Sequence, residues 1–332
     1  MVENAAFDCF KDSSALVTGG TGMIGRQVVR ILCDAGARVR VVSLDEISVD
    51  DRAEHIRGDL CDFNLCRELT KDMDYVCHVA GIKGSIDVTR EKPASFFVPL
   101  MMMNTNVLEA CRMNRVGRVV YTSSIGAYPP AEVFRESDDE NQAPPMDMFP
   151  GWAKRMAEMQ VAAYKIQYGL DNFAVVRPCN VYGPGDNFDP ETAMVIPALM
   201  GRIRRGENPL RVWGDGSAVR DFSFSRDVAM GTLLALIRGT GDLPFLNLGS
   251  GVGVSIRELV ENLARVTGIE YEFDTTKSPG FPRRVMDVSM AEKTIGYRHG
   301  TGLLQGLGET WEWFLAHESE FLSRKNYFKD AP

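Results

Sequence analysis

The chain has 332 residues, 45% of them hydrophobic and 25% charged, which is enough to bury one large core or two closely joined cores. Its 37 basic and 45 acidic residues give a formal net charge of −8 without a long run of one sign, which argues against a nucleic-acid partner. No apolar stretch approaches the roughly 20 residues of a membrane-crossing helix, and the acidic N-terminus does not resemble a signal peptide. We therefore expect a cytoplasmic protein without a membrane partner.

Cysteine usage gives no sign of a disulfide framework or a zinc site. The seven cysteines are an odd number at irregular spacing, and segments such as YVCHVAG place a thiol inside an apolar run. The closest pair, Cys61 and Cys66, has only His55 and His78 in its neighbourhood. We expect no bound metal.

The chain opens with one βαβ unit. From Ser14 it reads SALVTGG, TGMIGRQVVRILCDAG and ARVRVVSL, which predicts a strand, a glycine turn, an amphipathic helix ending at Gly36, and a second strand. The alternation continues with strands at 75–81, 118–124 and 173–183 and helices near 93–113 and 151–168. This pattern predicts an α/β fold with a Rossmann-like, doubly wound parallel sheet.

The pattern changes beyond Gly183. Prolines and glycines divide the chain into short pieces before two further helices near 225–238 and 255–267. We expect a dinucleotide-binding domain at 12–183 and a smaller C-terminal substrate-binding lobe at 184–320. The two would be interleaved in one compact body, with a cleft between them.

Three glycines after the first strand have a spacing that suits a dinucleotide. Gly19, Gly22 and Gly25 permit a tight turn and let backbone N–H groups approach a pyrophosphate at the start of the helix. Strand and helix on either side of the triplet favour cofactor binding over a purely structural turn. The sequence therefore predicts a dinucleotide cofactor.

The end of the second strand bears on the choice of cofactor. Ser43 occupies the position at which this fold normally carries an acidic residue for the ribose hydroxyls. Asp45 and Glu46 follow and would repel a 2′-phosphate, whereas Arg26 could attract one. We expect NAD, with NADP left open.

Further motifs follow in order: TGGTGMIG, GDLCD, HVAG, TSS, the lysine of GWAKRMAE, and RPCNVYGPGDN. Together they resemble the extended short-chain dehydrogenase/reductase superfamily, which contains nucleotide-sugar epimerases, dehydratases and reductases. Within it, YGPGDNFDPETAMVIPALMGRI, VWGDGSAVRDFSFSRDVA and GFPRRVMDVSMAEKTIGY are most similar to GDP-L-fucose synthase-like enzymes. The resemblance spans about residues 14–315. It implies NAD(P)-dependent hydride transfer at a ring carbon, most simply C4, of a GDP-hexose or another nucleotide sugar.

The resemblance also implies site residues. The cofactor would be bound by Gly19, Thr21, Gly22, Met23, Ile24, Ser43, Asp59, Leu60, Val79, Ala80, Gly81, Lys154 and Pro178. The nucleotide sugar would be bound by Lys83, Ser124, Asn180, Val195, Trp213, Arg220 and Arg283, with Arg284 as an alternative to Arg283. In this set an arginine suits a phosphate and an indole suits a base. From the residues alone, Trp213 could equally be a core residue, and Arg220 could pair with Asp215 or Asp221.

The proton-transfer groups of the superfamily are only partly present. It uses a Ser or Thr, a Tyr, and a Lys four residues after the Tyr; Ser124 and Lys154 match, but Pro150 stands where the tyrosine belongs. Ile125 and Gly126 replace the cysteine of the fucose synthase pattern and the Asp-Glu pair of the dehydratases, and Met194 replaces a histidine. None of these side chains can exchange a proton.

Other residues are therefore candidates for the missing acid or base. Besides Ser124 and Lys154 as catalytic residues, Tyr128 and Cys179 could reach the same space. Lys83, and Asp186 or Asp189 in the loop after Asn180, are further candidates. Pro150 can also be explained structurally, because proline is favourable in the first turn of a helix.

Two further expectations remain. An alternative to an enzyme is a non-catalytic protein that binds NAD and a nucleotide sugar and has lost its acid and base. The apolar run FFVPLMMM in the helix near 93–113, together with the helix near 151–168, predicts a homodimer contact, as in the family, unless both helices pack within one subunit.

Overall fold

A parallel sheet of seven strands forms the centre of the protein. The structure is a computed structural model that describes residues 6–138, 143–241, 243 and 245–323. The strands are β1 (Ser14–Thr18), β2 (Arg38–Ser43), β3 (Glu54–Arg57), β4 (Tyr75–His78), β5 (Arg118–Thr122), β7 (Phe173–Pro178) and β12 (Leu246–Leu248). Their order across the sheet is β3-β2-β1-β4-β5-β7-β12, and every neighbouring pair is parallel. The predicted α/β class is confirmed.

Helices cover both faces of this sheet. One face carries α1 (Met23–Asp34), α7 (Ser225–Arg238) and α9 (Ser289–Ile295), and the other carries α2 (Phe63–Leu69), α4 (Pro93–Met113) and α5 (Met148–Tyr168). In β1, Ala15 and Val17 pack towards the first face while Leu16 packs towards the second, so the strand is apolar throughout. None of the helices described is long and apolar enough to cross a membrane.

A smaller lobe lies beside the sheet around a third apolar core. Its strands are β6 (Val133–Phe134), β8 (Val181–Tyr182), β9 (Leu210–Trp213), β10 (Val219–Arg220), β11 (Ser223–Phe224), β13 (Val254–Ser255), β14 (Tyr271–Asp274) and β15 (Arg283–Met286). Its helices are α6 (Val195–Arg204), α8 (Ile256–Thr267), α10 (Leu303–Ala316) and α11 (Glu318–Ser323). The short helix α3 (Ile86–Glu91) precedes α4, and its Val88 packs against the core of the large sheet. Four of the strands form a sheet in the order β13-β10-β15-β6. Since α7, α9 and β12 return to the large sheet, that sheet draws residues from both 12–183 and 184–320.

The predicted strand at 173–183 is two strands in the structure. β7 ends at Pro178, which has no N–H for a further ladder bond, and the next two residues turn the chain. β8 then pairs with β11 in the smaller lobe, while β7 stays in the large sheet. The break places Asn180 between the two lobes.

The carboxyl ends of four adjacent strands meet along one edge of the large sheet. Gly19 follows β1, residues 79–81 follow β4, Ser124 lies two residues after β5, and Asn180 follows β7. The strand order reverses between β1 and β4, and a ligand crevice forms at such a point in open α/β sheets. The fold thereby brings together the motifs that the sequence keeps far apart.

A buried ion pair ties α5 to β7 beneath this edge. The Arg177 guanidinium donates to both carboxylate oxygens of Glu158 at 2.9 and 2.6 Å, and its side chain is fully buried. The same guanidinium lies 3.5 Å from the ring centre of Phe245 and 4.3 Å from that of Tyr128. Ser123 donates its hydroxyl to Glu158, so the carboxylate also fixes the residue before Ser124.

We predict that Glu158→Leu lowers the free energy of unfolding by ~3–5 kcal/mol, because it removes the carboxylate that pairs with the buried Arg177 charge. Urea denaturation followed by circular dichroism measures the change. Glu54→Leu is the control, since the ion pair of Glu54 with Arg40 is largely exposed and should contribute less than ~1 kcal/mol. Equal effects of the two substitutions would contradict the prediction.

Candidate functional site

A cleft of about 1180 Å³ opens along the carboxyl edge of the large sheet and extends to the smaller lobe. Among the residues predicted for the site, its walls contain Gly19, Thr21, Gly22, Met23, Ile24, Ser43, Asp59, Leu60, Val79, Ala80, Gly81, Lys83, Ser124, Lys154, Pro178 and Asn180. The whole predicted cofactor set therefore lies in one cleft with Ser124 and Asn180. Within the described ranges, no group of three or more His, Cys, Asp or Glu side chains could hold a metal ion.

The glycine loop leaves room for a ligand against the start of α1. Gly19 has a positive φ of 66°, and a Cβ there would lie 2.7 Å from the Cα of Ala80. A Cβ on Gly25 would lie 2.2 Å from the Gly19 carbonyl oxygen. Gly22 precedes α1, where no side chain caps the first N–H groups. A dinucleotide pyrophosphate fits these donors, since it can accept from N–H groups that have no partner within the helix.

The adenosine end of the cleft has acidic character. Thr21 Oγ1 lies 2.7 Å from Ser43 Oγ and donates to Asp45 Oδ2 at 3.0 Å. Arg26, the residue that could attract a 2′-phosphate, instead donates to Glu320 at 2.5 Å and lies 4.8 Å from the ring centre of Trp313. The negative charge of Asp45 and the pairing of Arg26 with Glu320 both favour NAD over NADP.

Lys154 reaches the cleft from α5. Its Nζ donates to the Thr122 carbonyl oxygen at 2.7 Å and lies 5.1 Å from the ring centre of Tyr121. Although its side chain borders the cleft, protein surrounds the amine, and this desolvation lowers its pKa to about 8 against the opposing effect of Glu158. A Cβ on Gly81 would lie 3.5 Å from Nζ, which is an ordinary van der Waals contact, so Gly81 borders the amine directly.

A buried polar network supports the strand ends beneath Lys154. The His78 ring bonds Thr18 at 2.8 Å and Asn104 at 3.0 Å. Burial, together with the charge of Lys154, lowers the pKa of His78 to about 3, so this imidazole is neutral. Thr18 Oγ1 also accepts from the N–H groups of Val79 and Ala80, both at 3.2 Å, which fixes the turn that leads to Gly81.

Ser124 keeps its predicted place, whereas Tyr128 and Cys179 do not reach the cleft. Tyr128 is buried and donates its hydroxyl to Asn247 at 2.9 Å. Cys179 is buried with its thiol on the Asp221 carbonyl oxygen, and desolvation raises its pKa well above the ordinary value. The expectation that these two residues replace the missing phenol is corrected, because their side chains are directed into the protein. Pro150 forms part of the cleft wall and cannot exchange a proton.

The far end of the cleft contains an arginine, but it is Arg284 rather than Arg283. Arg284 lines the cleft, and its Nε is buried without a hydrogen-bond partner in the described part of the chain. Burial lowers the pKa of Arg220, and the nearby positive charge of Arg284 lowers it further. Arg220 does not line the cleft itself, but it adds a second positive charge beside Arg284, which suits an anion such as a diphosphate at this end. Arg220 donates to the Val219 carbonyl oxygen and is not paired with Asp215 or Asp221.

Three other predicted substrate residues differ in their surroundings. Lys83 lines the cleft, but its amine is paired with Asp186 at 3.0 Å. Val195 is partly exposed at the start of α6 and does not line the cleft, while the preceding Met194 does. Trp213 is 63% exposed at the end of β9, which contradicts the core alternative and leaves its indole face accessible.

Sequence reasoning missed two acidic residues. Asp221 is fully buried and accepts hydrogen bonds from Ser250, Gly251 and the N–H of Met286, so it holds β15 and thereby Arg284 in place. Asp147 lines the cleft beside Gly126. It stands four residues before the predicted helix at 151–168, where nothing in the local sequence pattern marks it as a site residue.

Comparison with known proteins identifies the family. The NAD dependent epimerase/dehydratase family model matches residues 15–249, which is more than half of the chain. The chain belongs to this family.

Relatives with different named activities have similar identities to this chain. GDP-L-fucose synthase of Escherichia coli (strain K12) is 30% identical, covering 92% of this chain and 97% of the relative. The dTDP-4-dehydro-6-deoxy-D-allose reductase of Streptomyces bikiniensis is 31% identical, covering 93% and 98%. The solved UDP-glucose 4-epimerase of Thermotoga maritima, with UDP-glucose, has a TM-score of 0.76 at 28% identity and covers 92% and 99%. Each of these relatives is named for a reaction.

We predict that Lys154 makes the stability depend on pH. Folding lowers its pKa from 10.5 to about 8, so between these values the unfolded chain holds a proton that the folded protein has released. The free energy of unfolding of the wild type should therefore rise with pH across this range relative to Lys154→Met. Consequently Lys154→Met should be the more stable protein near pH 7, with a difference that shrinks towards pH 10.

Urea denaturation at pH 7, 8, 9 and 10 tests this prediction. Lys71→Met, at an exposed lysine outside the cleft, serves as the control and should follow the wild type. The same pH dependence in the wild type and in Lys154→Met would show that the amine is not desolvated by folding.

Proposed function

We propose that the protein is an NAD-dependent enzyme that modifies a nucleotide sugar, preferentially a GDP-hexose or its 4-keto derivative, by hydride transfer at C4. One observation carries this proposal. A single cleft runs from the glycine loop, past Ser124 and Lys154, to Arg284, whose buried Nε has no partner within the described ranges. A dinucleotide at one end and a sugar diphosphate at the other would meet at Ser124 and Lys154.

Each side chain of the cleft would have a distinct role. The nicotinamide of NAD supplies the hydride acceptor or donor when it is bound. Lys154, anchored on the Thr122 carbonyl, places a positive charge beside Gly81 and would hold the ribose hydroxyls. Ser124 is half-buried in the cleft wall, where its hydroxyl can bond a reacting sugar oxygen. Arg284 and Arg220 would bind the diphosphate, and the exposed indole of Trp213 would contact the base.

The preference for a guanine nucleotide rests on relatives. GDP-L-fucose synthases of Escherichia coli and Arabidopsis thaliana are 30% and 31% identical to this chain. A dTDP-sugar reductase is equally similar, so a dTDP-sugar is the second candidate substrate. The non-catalytic alternative finds no support among these relatives.

A homodimer and a cytoplasmic location complete the proposal. Apolar side chains remain exposed along the packed helices α4 and α5: Val98, Met102, Met156, Met159 and Ile166. Such a surface on two adjacent helices is suited to the same surface of a second copy. All seven cysteines are free thiols, which is typical of a reducing compartment.

We predict turnover when the purified protein is incubated with GDP-, dTDP- and UDP-hexoses and their 4-keto derivatives, with NAD(H) or NADP(H), in deuterated water. Mass spectrometry should show a product or deuterium in the sugar, first with a GDP-sugar and with NAD(H) over NADP(H). Stoichiometric consumption of the cofactor would indicate a reductase or dehydrogenase, and its return an epimerase or dehydratase. Binding of a nucleotide sugar without product across the panel would favour the non-catalytic alternative.

We predict that Met102→Glu combined with Met159→Glu converts a dimer to a monomer, because two carboxylates per subunit would be buried in the contact. Light scattering coupled to size-exclusion chromatography measures the mass. Leu304→Glu, at a similarly exposed apolar side chain on α10, should leave the mass unchanged. A wild-type monomer of 36.8 kDa at micromolar concentration would refute the dimer.

A further inference from the structure

Asp147 occupies the N-cap position of α5, but its side chain does not cap the helix. None of the first N–H groups of α5 donates to its carboxylate. By contrast, Asp62 and Ser255 accept such bonds at the starts of α2 and α8. A side-chain cap contributes about 1 kcal/mol to the stability of a helix. The Asp147 side chain does not make this bond and is directed elsewhere. Here the side chain lies along the wall of the cleft.

Pro150 explains part of this freedom. An N-cap side chain usually accepts from the N–H of the second or third helical residue, and Pro150 is the third residue of α5. Because proline has no N–H, one of the two usual capping donors is missing. Pro150, which stands in place of the family's tyrosine, thus also removes a hydrogen-bond donor that would otherwise hold the Asp147 side chain at the start of the helix.

Gly126 provides the space for the carboxylate. A Cβ on Gly126 would lie 2.3 Å from Asp147 Oδ2, so a larger residue would displace the side chain. The N–H of Gly126 donates to Ser124 Oγ at 3.0 Å. The Asp147 carboxylate and the Ser124 hydroxyl therefore lie against the same glycine, both on the wall of the cleft. Gly126, like Pro150, is one of the departures from the family pattern.

The electrostatic surroundings suit a proton-transfer group. Asp147 is exposed to solvent in the cleft, but the cleft walls reduce its solvation, and this desolvation raises its pKa above the ordinary value. The positive charge of Arg284, which faces it from β15, acts in the opposite direction. The neighbouring elements contribute Gly126 and Pro150, which carry no charge. A carboxyl with a raised pKa is a better match to acid–base chemistry near neutral pH.

We propose that Asp147 is the catalytic acid/base that replaces the missing tyrosine, exchanging a proton with the sugar hydroxyl at the carbon where hydride is transferred. This inference rests on the proposed function. In the oxidative direction the Asp147 carboxylate takes the hydroxyl proton while the carbon-bound hydrogen leaves as hydride to NAD. The alcohol becomes a ketone, the cofactor is reduced, and the carboxylic acid returns its proton when the ketone is reduced.

Asp147→Asn separates this role from a structural one. Asparagine caps a helix as well as aspartate and has the same shape, but it cannot accept the proton. We expect kcat to fall by about 100-fold or more, while KM and the thermal unfolding temperature stay close to those of the wild type. The kcat of the wild type in the oxidative direction should rise with pH through the pKa of Asp147, and this rise should be absent in the variant.

The matched control is Asp171→Asn, the same chemical change at an exposed aspartate beyond the far end of α5, which should leave kcat and its pH profile unchanged. Asp147→Glu should recover part of the activity. Full activity of Asp147→Asn, with an active wild type, would refute the catalytic role of Asp147 but not the proposed function. A wild type that turns over no sugar of the panel would refute the proposed function and the catalytic role together.

Discussion

The close approach of the glycine loop to the end of β4 is the constraint on which the site depends. A side chain at Gly19 would collide with the backbone of Ala80, and one at Gly25 would collide with the Gly19 carbonyl. This contact holds the start of α1 over the carboxyl edge of the sheet, with its first N–H groups directed at the cleft. Because residues 79–81 also border Lys154, the same contact sets the distance between the glycine loop and α5.

Buried polar groups hold the walls of the cleft in place. His78 and Thr18 fix the turn before Gly81, Glu158 and Arg177 join α5 to β7, and Asp221 holds the strand that carries Arg284. None of these groups is placed in the proposed reaction, but each fixes the position of a residue on the cleft wall. Their hydrogen bonds offset the cost of burying charge in a region that must stay rigid.

The departures from the family pattern form a connected set. Pro150 removes the phenol and an N–H donor near Asp147, and Gly126 leaves open the volume that the Asp147 carboxylate borders. If these changes were only losses, nothing would require an acidic side chain to lie in the space they vacate. Because Pro150, Gly126 and Asp147 are neighbours, replacement of the tyrosine by Asp147 explains these changes with fewer assumptions than loss of the catalytic site does.

The sequence by itself determined the α/β class, the glycine loop, the position of Lys154 and the absence of the tyrosine, because these depend on local periodicity and short spacings. The residues that it predicted for the cofactor all line one cleft. Tertiary structure decided the rest. The side chains of Tyr128 and Cys179 are directed into the protein, so neither can act in the cleft. Arg284 rather than Arg283 lines the cleft, because neighbouring residues of a strand face opposite ways. Asp147 became a candidate only with the packing of its side chain against Gly126, since contacts between distant segments leave no periodic signal in the chain.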